Sequence, residues 1–377
     1  MKDCFEFADD LGPAKIVHIY EPALDLRAVV AIDNVACGPS IGGVRMAPDV
    51  SAEEAFRLAR AMTLKNAAAG LAHGGGMSVI FGDPRMPIGR KESLIRAFAV
   101  AIGPLTDYIP GPDMGTDETC MAWIRDEIGR SVGLPSDIGG IPLDEIGATG
   151  FGLAVCAEVA QEFASIELDG ARVAIQGFGS VGQHAAKFLS ERGARIVAAA
   201  DSGGATWNSS GLDLDALISL KRDRKSVAES SDGETGSPES IIDIDCDIWI
   251  PAARPDVIRR DNVDRLKTRL ILQGANIPIT HEAETILHER GVLCVPDFIA
   301  NAGGVICAAV EFHGGTQNTA LATIEEKIRT NTRTILEDAA NTGTTPRHAA
   351  TALANRRVRR AMVLTRWSHE SALSAAP

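Results

Sequence analysis

Apolar and polar residues alternate along the first part of the chain in two ways, each typical of one kind of element. Residues 15–20 (KIVHIY) and 26–32 (LRAVVAI) are short and rich in β-branched side chains, which predicts two strands. Residues 51–69 instead repeat apolar side chains every three or four positions, which predicts a helix. Ser51 with Glu54 forms a capping box at its start.

From Ala171 onwards, strand-like and helix-like stretches alternate, and this order predicts a parallel sheet covered by helices on both faces. Residues 222–243 are polar and carry no stable period, so they are predicted to be a surface excursion. Helical periodicity returns over 321–339 and 347–367. The other predicted elements are strands at 171–176, 194–200, 246–250, 269–272 and 292–295, and helices at about 91–102, 180–192, 213–221 and 280–290.

The composition is that of an ordinary globular protein, with 45% hydrophobic and 23% charged residues. The net charge of −13 is spread along the chain, which argues against a nucleic-acid partner. No apolar run reaches about 18 residues, so we expect a soluble cytoplasmic protein without a membrane partner. Seven cysteines without CxxC spacing predict reduced thiols, and neither a disulfide framework nor a metal site.

Lys65 continues the apolar stripe that Ala55, Ala59 and Met62 begin on the predicted helix. An ammonium among apolar side chains costs several kcal/mol unless an anion meets it. Lys65 therefore either binds a carboxylate or extends from the edge of the stripe into water.

Two loops are predicted to contain further candidate chemistry. Gly74-Gly75-Gly76 is predicted to be a loop that another group approaches closely, followed by a short strand over 78–81. Met77 directly follows these glycines. Asp113 lies between prolines and glycines in a stiff loop, where a carboxylate alone would be a turn former.

A dinucleotide-binding fingerprint, Gly177-Phe178-Gly179-Ser180-Val181-Gly182, follows a predicted strand and opens a predicted helix. Asp201 ends the next strand, where an acid accepts a hydrogen bond from the ribose 2′-hydroxyl. A carboxylate there repels a 2′-phosphate, so NAD is favoured, while the glycines that follow leave NADP possible. Ala252 and Asn276 lie at later strand ends, where such folds bind ligands. Asn276 and Asn301 are expected to bind ligand amide or carbonyl groups, or else to form turns.

Eight segments in order across most of the chain resemble the glutamate/leucine/phenylalanine/valine dehydrogenase family. This resemblance implies oxidative deamination of an L-amino acid to a 2-oxo acid and ammonia, with hydride passing to NAD or NADP. It also implies a homo-oligomer assembled through the first domain. The segments are 38–45 (GPSIGGVR), 62–66 (MTLKN), 74–76 (GGG), 112–116 (PDMGT), 148–150 (ATG), 177–182 (GFGSVG), 274–276 (GAN) and 296–304 (PDFIANAGG).

The fold expected from this order is α/β with two domains and C-terminal helices that return to the first. Residues 1–145 would form the substrate-binding and oligomerisation domain. Residues 146–335 would form a Rossmann-type dinucleotide-binding domain, and residues 336–377 would pack back on the first domain.

The resemblance also implies roles for single residues. Lys65 matches the lysine that holds the substrate α-carboxylate, and Asp113 matches the aspartate that moves protons at the amino group. Thr149, together with Asn276 and Asn301, matches positions near the nicotinamide and the substrate.

Substrate choice follows from two further positions. Family members acting on glutamate resemble each other in having a lysine where Ile41 stands and a serine where Ala308 stands. Burying a second carboxylate against these apolar side chains would be costly, so an apolar amino acid is predicted. Gly42, beside Ile41, completes the expected substrate-binding set.

Met77 occupies the position of a lysine that, in the family, polarises the carbonyl and water during imine chemistry. A thioether supplies neither a donor nor a positive charge, and losing such a group removes about 10²–10⁴ in rate. Three hypotheses remain: an amino-acid dehydrogenase impaired by Met77, a reductase or dehydrogenase for an imine or secondary amine, and a catalytically inactive nucleotide-binding homologue.

Overall fold

The computed structural model describes residues 4–365 and divides them into two compact units. The first unit contains the described residues up to Pro142, together with 305–320 and those from Ala352 onwards. The second contains 143–304 and 321–351. Of the stretch predicted as one C-terminal block, the described residues 336–365 are thus shared between the units, and 305–320 belongs to the first unit as well.

A five-stranded mixed sheet, in the order β1-β2-β4-β3-β5, forms the centre of the first unit. The predicted N-terminal strands pair as an antiparallel hairpin, and β2 pairs antiparallel with β4. β3 runs parallel to both β4 and β5. The elements are β1 (Lys15–Glu21), β2 (Leu26–Asn34), β3 (Ser40–Ala47), α1 (Ala52–Ala68), β4 (Gly74–Phe81), α2 (Ile88–Ile102), β5 (Tyr108–Pro112) and α3 (Glu118–Ile128).

Each face of this sheet buries a separate apolar cluster. On one face, Phe98 of α2 and Met121 of α3 pack with Met46 of β3. On the other face, α1 contributes small residues, and Ala59 packs beside Met77 of β4. Because successive strand residues point to opposite faces, these two clusters fix which side chains of β3 and β4 lie under α1.

The prediction of a loop for the glycine run was wrong, because Gly74, Gly75 and Gly76 are the first three residues of β4. Glycines carry no side chain, so this part of the strand shows no apolar alternation in the sequence. Their role is close packing. A Cβ added at Gly75 would overlap the backbone nitrogen of Thr63 in α1, far inside the 3.0 Å limit for real contacts.

A seven-stranded sheet, in the order β12-β11-β10-β6-β7-β8-β9, forms the centre of the second unit. The strands from β12 to β7 pair in parallel, as the alternation of elements predicted. The helices and strands are α4 (Ala148–Ala164), β6 (Arg172–Gln176), α5 (Ser180–Ser190), β7 (Arg195–Asp201), β8 (Gly204–Trp207), α6 (Leu214–Arg222), β9 (Glu234–Gly236), β10 (Ile248–Pro251), β11 (Leu270–Leu272), α7 (His281–Glu289), β12 (Leu293–Val295) and α8 (Asp297–Ala300).

The segment predicted as an irregular surface excursion, 222–243, is more ordered than expected. It contains β9, which pairs antiparallel with β8 and extends the sheet. A capping box between Ser226 and Glu229 starts a short 3₁₀ turn. These elements depend on pairing with β8 and on local caps, and neither produces a periodic apolar pattern.

Three helices complete the described chain: α9 (Gly303–Phe312), α10 (Gln317–Thr342) and α11 (Pro346–Leu364). In the second unit, Arg329 of α10 forms an ion pair with Glu158 of α4. In the first unit, Arg357 of α11 donates to the carbonyl of Ala68 over 2.7 Å. The last two residues of the predicted helix 347–367 lie outside the described residues. Among residues 4–365, no helix combines the length and apolar character needed to cross a membrane.

Candidate active site

In the first unit, Gly43 of β3 lies where two of the predicted catalytic positions meet. A Cβ added at Gly43 would lie 2.6 Å from the Cβ of Asp113 and 3.3 Å from the Cε of Met77. The pairing of β3 with β4 on one side and β5 on the other brings these two side chains to the same point. The structure therefore places Asp113 and Met77 together, at a position that only glycine leaves open.

Arg45 holds the Asp113 carboxylate in place. Its Nε donates to Asp113 Oδ2 over 2.7 Å, and its Nη1 donates to Glu54 Oε1 over 2.6 Å. Burial opposes the charge on Arg45, but the bonds to Asp113 and Glu54 outweigh it and raise the pKa of the guanidinium above its ordinary value. Asp113 thus lies beside a cation that remains charged at any physiological pH.

The sequence indicates Arg45 only as the last residue of the segment 38–45, and it does not predict the contact with Asp113. One signal was available, because Arg45 lies two residues after Gly43 and the period of a strand puts both on one face. That face carries α1, as the contact of Arg45 with Glu54 shows. The sequence did not predict β3 as a strand, so the pairing of β3 with β5 that brings Arg45 to Asp113 could not be predicted either.

Met77 is buried in the apolar cluster under α1 and is 3% exposed. Its neighbours in that cluster include Ala55, Ala59 and Val79. A thioether there accepts weak hydrogen bonds at most and donates none. Met77 therefore supplies no acid at the point where it lies beside Asp113.

Lys65 lies at the edge of the apolar stripe, which is one of the two alternatives that the sequence left open. The positions of α1 that are buried include Ala55, Ala59, Thr63 and Asn66, whereas Lys65 is half-buried at their edge. The helix is rotated relative to the expected stripe because Thr63 and Asn66 face the sheet and make hydrogen bonds there. This half-buried position of Lys65 at the edge of the stripe is compatible with binding a carboxylate.

Asn66, next to Lys65, takes the buried place and joins two strands. Its Nδ2 donates to the carbonyl of Gly74 over 2.7 Å and to that of Ile41 over 3.4 Å. Its Oδ1 is buried and has no hydrogen-bond partner. The amide thus fixes the start of β4 beside the residue expected to line the substrate pocket.

The other expected substrate residues of the first unit differ in role. Ile41 is 3% exposed and Ala308, on α9, is 8% exposed, so both present only apolar atoms in largely buried positions. A Cβ added at Gly42 would overlap the carbonyl oxygen of Gly76. The absence of a side chain at Gly42 is therefore required for packing β3 against β4.

In the second unit, the glycines of the predicted fingerprint form a tightly packed turn between β6 and α5. Gly177 has a φ of +100°, and a Cβ there would lie 2.7 Å from the carbonyl carbon of Ala252. A Cβ on Gly182 would overlap the carbonyl oxygen of Gly177. At Gly179, by contrast, a Cβ would meet no atom within 4 Å. This open side at the start of α5, with Ser180 and Val181 in its first turn, lets a phosphate approach the helix N-terminus.

Phe178, which is predicted to be part of the cofactor site, also packs within the second unit. Its ring is fully buried. Its N–H donates to the carbonyl of Ala200 over 2.9 Å, and its own carbonyl accepts from Gln183 Nε2 over 3.3 Å. Both backbone groups and the ring are thus engaged within the protein.

Asp201 ends β7 as predicted, and it is surrounded by donors. Lys221 Nζ approaches Oδ2 at 2.5 Å, and Ser226 Oγ donates to Oδ1 over 2.7 Å. The N–H groups of Gly203 and Val227 add two more bonds. Burial alone would raise the pKa of Asp201, but the bonds from Lys221 and Ser226 outweigh it and lower the pKa below its ordinary value. Lys221 and Ser226 were not foreseen, because nothing in the sequence pairs α6 with β7.

Asn301 and Asn276 come together at the carboxyl end of the parallel sheet. Asn301 Nδ2 lies 3.1 Å from Asn276 Oδ1 and also donates to the carbonyls of Gly274 and Ala275, each over 3.3 Å. Asn301 is 5% exposed, and its Oδ1 has no hydrogen-bond partner. A buried amide oxygen without a donor fits the amide N–H of a ligand such as a carboxamide.

Thr149, in the first turn of α4, lies beside the start of α9. A Cβ added at Gly304 would come within 3.3 Å of Thr149 Oγ1. A Cβ added at Gly303 would overlap the carbonyl oxygen of Ala148. The two glycines that follow Asn301 thus allow the turn holding Thr149 to approach closely.

Two family models match most of the chain. One, described as Glutamate/Leucine/Phenylalanine/Valine dehydrogenase, matches residues 139–366. The other, described as Glu/Leu/Phe/Val dehydrogenase, dimerisation domain, matches residues 22–130. The first match alone spans more than half of the 377 residues.

Three proteins similar to this chain are glutamate dehydrogenases. That of Aeropyrum pernix is 39% identical over 357 residues, which cover 89% of this chain and 85% of that protein. The NAD-specific glutamate dehydrogenase of Staphylococcus aureus is 38% identical and covers 82% of this chain and 77% of its own. The NADP-specific glutamate dehydrogenase of Saccharolobus shibatae is also 38% identical, over 74% of this chain and 69% of its own.

Two solved structures are similar to this chain. A hetero-hexameric glutamate dehydrogenase from Thermus thermophilus, in its Leu-bound form, gives a TM-score of 0.83 at 27% identity, covering 93% of this chain and 90% of that one. L-tryptophan dehydrogenase from Nostoc punctiforme gives 0.75 at 26% identity, covering 95% and 99%. These matches confirm the α/β fold with a Rossmann-type unit. The chain belongs to the glutamate/leucine/phenylalanine/valine dehydrogenase family, the oxidoreductases that act on the CH–NH2 group of amino acids with NAD(P).

Proposed function

We propose that this protein oxidatively deaminates an L-amino acid with an apolar side chain to the 2-oxo acid and ammonia, and catalyses the reverse reductive amination, with Met77 slowing both directions. The observation that carries this proposal is the placement of Asp113 and Met77 around Gly43. A carboxylate held by Arg45 supplies a proton acceptor there, while the neighbouring side chain supplies no acid.

The first unit supplies the side chains that act on the substrate, and the second unit binds the cofactor. In the first unit, the ammonium of Lys65 binds the substrate α-carboxylate, and Asp113 takes a proton from the amino group. When bound in the second unit, NAD or NADP accepts the hydride from the substrate Cα. Water then hydrolyses the resulting imine to the 2-oxo acid and ammonia, the step that an ammonium at position 77 would assist.

The cofactor is proposed to be NAD, with NADP possible, and the assembly a homo-oligomer formed through the first unit. Support for the assembly comes from the match of residues 22–130 to a dimerisation domain. Support for either dinucleotide comes from Asp201, because the Lys221 ammonium offsets the carboxylate that would repel a 2′-phosphate.

An apolar substrate follows from Ile41 and Ala308. With both residues largely buried, neither supplies a cation or a hydroxyl for a distal carboxylate, and burying that charge unpaired would cost several kcal/mol. The similarity to glutamate dehydrogenases supports the type of reaction. The side chains of Ile41 and Ala308 support the choice of an apolar substrate.

The test of this proposal is a substrate comparison at high enzyme concentration, following NADH formation. We expect leucine, valine or phenylalanine to be oxidised at least about tenfold faster than glutamate at equal concentration. The double variant Ile41→Lys with Ala308→Ser should move the ratio towards glutamate, while the matched control Ile41→Leu should leave it unchanged. A preference of the unaltered protein for glutamate would refute the apolar pocket.

A second candidate function is supported by the burial of Met77 among apolar side chains. A preformed imine or secondary amine needs hydride transfer but no polarised carbonyl, so it avoids the step that lacks an acid. The assay compares NADH oxidation with 2-oxo acid plus ammonia against oxidation with a preformed cyclic imine. Faster turnover of the cyclic imine would favour this candidate, and tight NADH binding with neither turnover would favour an inactive nucleotide-binding homologue.

Lys221 provides a separate prediction about the cofactor. Removing its ammonium in Lys221→Met leaves the Asp201 carboxylate without the cation that lies 2.5 Å from it. We expect the affinity for NADPH relative to NADH to fall by about tenfold, because an uncompensated carboxylate repels the 2′-phosphate. Fluorescence titration with the two reduced dinucleotides measures the ratio. Lys187→Met, on α5 of the same unit, serves as the control, and an equal loss of both affinities would contradict this role for Lys221.

A further inference from the structure

Arg347, the second residue of α11, is surrounded by acceptors in the second unit. It forms an ion pair with Glu284 of α7 and donates to Asp297 Oδ1 over 3.0 Å and to Gln273 Oε1 over 2.8 Å. The side chains of Glu284 and Asp297 are 4% and 9% exposed. Phe298 lies under the guanidinium at 5.8 Å from the ring centroid. One side chain thus joins β11, α7 and the start of α8.

Asp297 connects Arg347 to the loop that follows β11. Its Oδ2 accepts from the N–H of Ile277 over 2.9 Å, while Oδ1 is held by Arg347. Ile277 has a φ of +49°, a conformation that is strongly disfavoured for a β-branched residue. Such a conformation persists only where surrounding bonds hold it, and it is common at functional sites.

The strained loop carries Asn276, and α8 carries Asn301 at its C-terminal end. The N–H of Asn301 donates to the carbonyl of Asp297 over 2.8 Å. Asp297 therefore fixes both sides of the contact between Asn301 Nδ2 and Asn276 Oδ1. The buried Asn301 Oδ1 remains without a partner beside this contact.

We propose that Arg347, acting through Asp297, is a positioning residue that holds Asn276 and Asn301 in register to bind the carboxamide end of the dinucleotide. This inference rests on the proposed function, because it requires a nicotinamide cofactor in the second unit. The partners of Arg347 are protein side chains, so its effect on the dinucleotide is proposed to be indirect. A planar guanidinium suits the role, since it reaches three acceptors at once, which an ammonium cannot do with the same geometry.

The experiment compares binding of NADH with binding of ADP-ribose, which keeps the pyrophosphate and adenosine but lacks nicotinamide. Fluorescence titration measures NADH affinity, and calorimetry measures ADP-ribose affinity. The variants are Arg347→Met, Arg347→Lys and Asp297→Asn, and thermal unfolding is recorded for each. Arg333→Met is the control, because Arg333 also forms an ion pair on a helix of this unit, with the more exposed Glu162.

We expect Arg347→Met and Asp297→Asn to weaken NADH binding by at least about tenfold and ADP-ribose binding by less than about twofold. Arg347→Lys should recover part of the loss, and Arg333→Met should change neither affinity. If Arg347→Met does not fold, Asp297→Asn decides, because it keeps the size of the side chain, removes the charge and replaces one of the two acceptor oxygens with a donor.

Equal loss of both ligands, or no loss of NADH, would overturn the positioning role and leave the cluster purely structural. Failure of the unaltered protein to bind either ligand would instead refute dinucleotide binding itself, and the positioning role with it. These two failures are therefore separate results of the same titrations.

Discussion

Met77→Lys is expected to raise NAD-linked deamination of an apolar amino acid by at least about a hundredfold. The side chain at position 77 ends beside Gly43, where the Asp113 carboxylate also lies. An ammonium at that point would stabilise the oxyanion that develops as water adds to the imine carbon. The measurement is the initial rate of NADH formation, with the same enzyme preparation assayed for 2-oxo acid production.

The surroundings of Met77 predict how such an ammonium would behave. Met77 is 3% exposed and packs against alanine and valine side chains, so the introduced group would be desolvated. Desolvation lowers the pKa of an ammonium from about 10.4, towards the range in which it exchanges protons near neutral pH. The activity of Met77→Lys should therefore rise as the pH falls through that lowered pKa, because a larger fraction of the introduced side chain then carries the charge.

The matched control is Met77→Leu, which keeps an apolar side chain of similar volume and should leave the rate unchanged. We also expect Met77→Lys to lower the free energy of unfolding by about 1–3 kcal/mol, because burial of the charge is only partly offset by Asp113. If Met77→Lys folds, binds NADH and shows the rate of the unaltered protein, the missing ammonium does not limit the chemistry.

Gly42→Ala is expected to lower the free energy of unfolding of the first unit by more than about 4 kcal/mol. A loss of this size is expected because the clash can be relieved only by moving the backbone. The added methyl would overlap the carbonyl oxygen of Gly76, and both residues belong to central strands of the sheet. A flexible side chain could move away, but a carbonyl in the pairing of β3 with β4 cannot. The strands would have to separate.

The measurement is chemical unfolding followed by circular dichroism, and Gly89→Ala is the control. Gly89 lies in the first turn of α2, and a Cβ there would meet no atom within 4 Å. Alanine at that position should change stability by less than about 1 kcal/mol, towards greater stability. Similar unfolding midpoints for Gly42→Ala and Gly89→Ala would show that β3 and β4 adapt, and that Gly42 has some role other than packing.

Several features of the site could be predicted because they depend on local order. The glycine fingerprint with Asp201 lies within one strand–turn–helix–strand unit, so its spacing alone indicates what it forms. Ser51 caps α1 and accepts from the N–H of Glu54 over 3.1 Å, as the capping box predicted. In each case the partners are close in sequence, and the physical cause is short-range.

Other features were missed because their partners are distant in sequence. Arg45 meets Asp113 only because β3 pairs with β5, and Lys221 meets Asp201 only because α6 packs near the end of β7. The glycine run was assigned to a loop because a strand without side chains has no apolar alternation. The apolar pattern alone puts Lys65 on the buried stripe. In the structure, α1 is oriented by the hydrogen bonds of Thr63 and Asn66, and Lys65 lies at the edge of the buried face.

The sequence by itself determined the two-domain α/β order, the dinucleotide fingerprint and the presence of a methionine after the glycine run. Periodicity and short motifs carry these, because they reflect the geometry of single elements. Only the tertiary structure decided that Met77 lies buried beside Asp113, that Arg45 holds that carboxylate, and that the amide of Asn301 keeps an unpartnered oxygen. Those facts depend on which strands pair and which helix faces meet them, and long-range packing sets both.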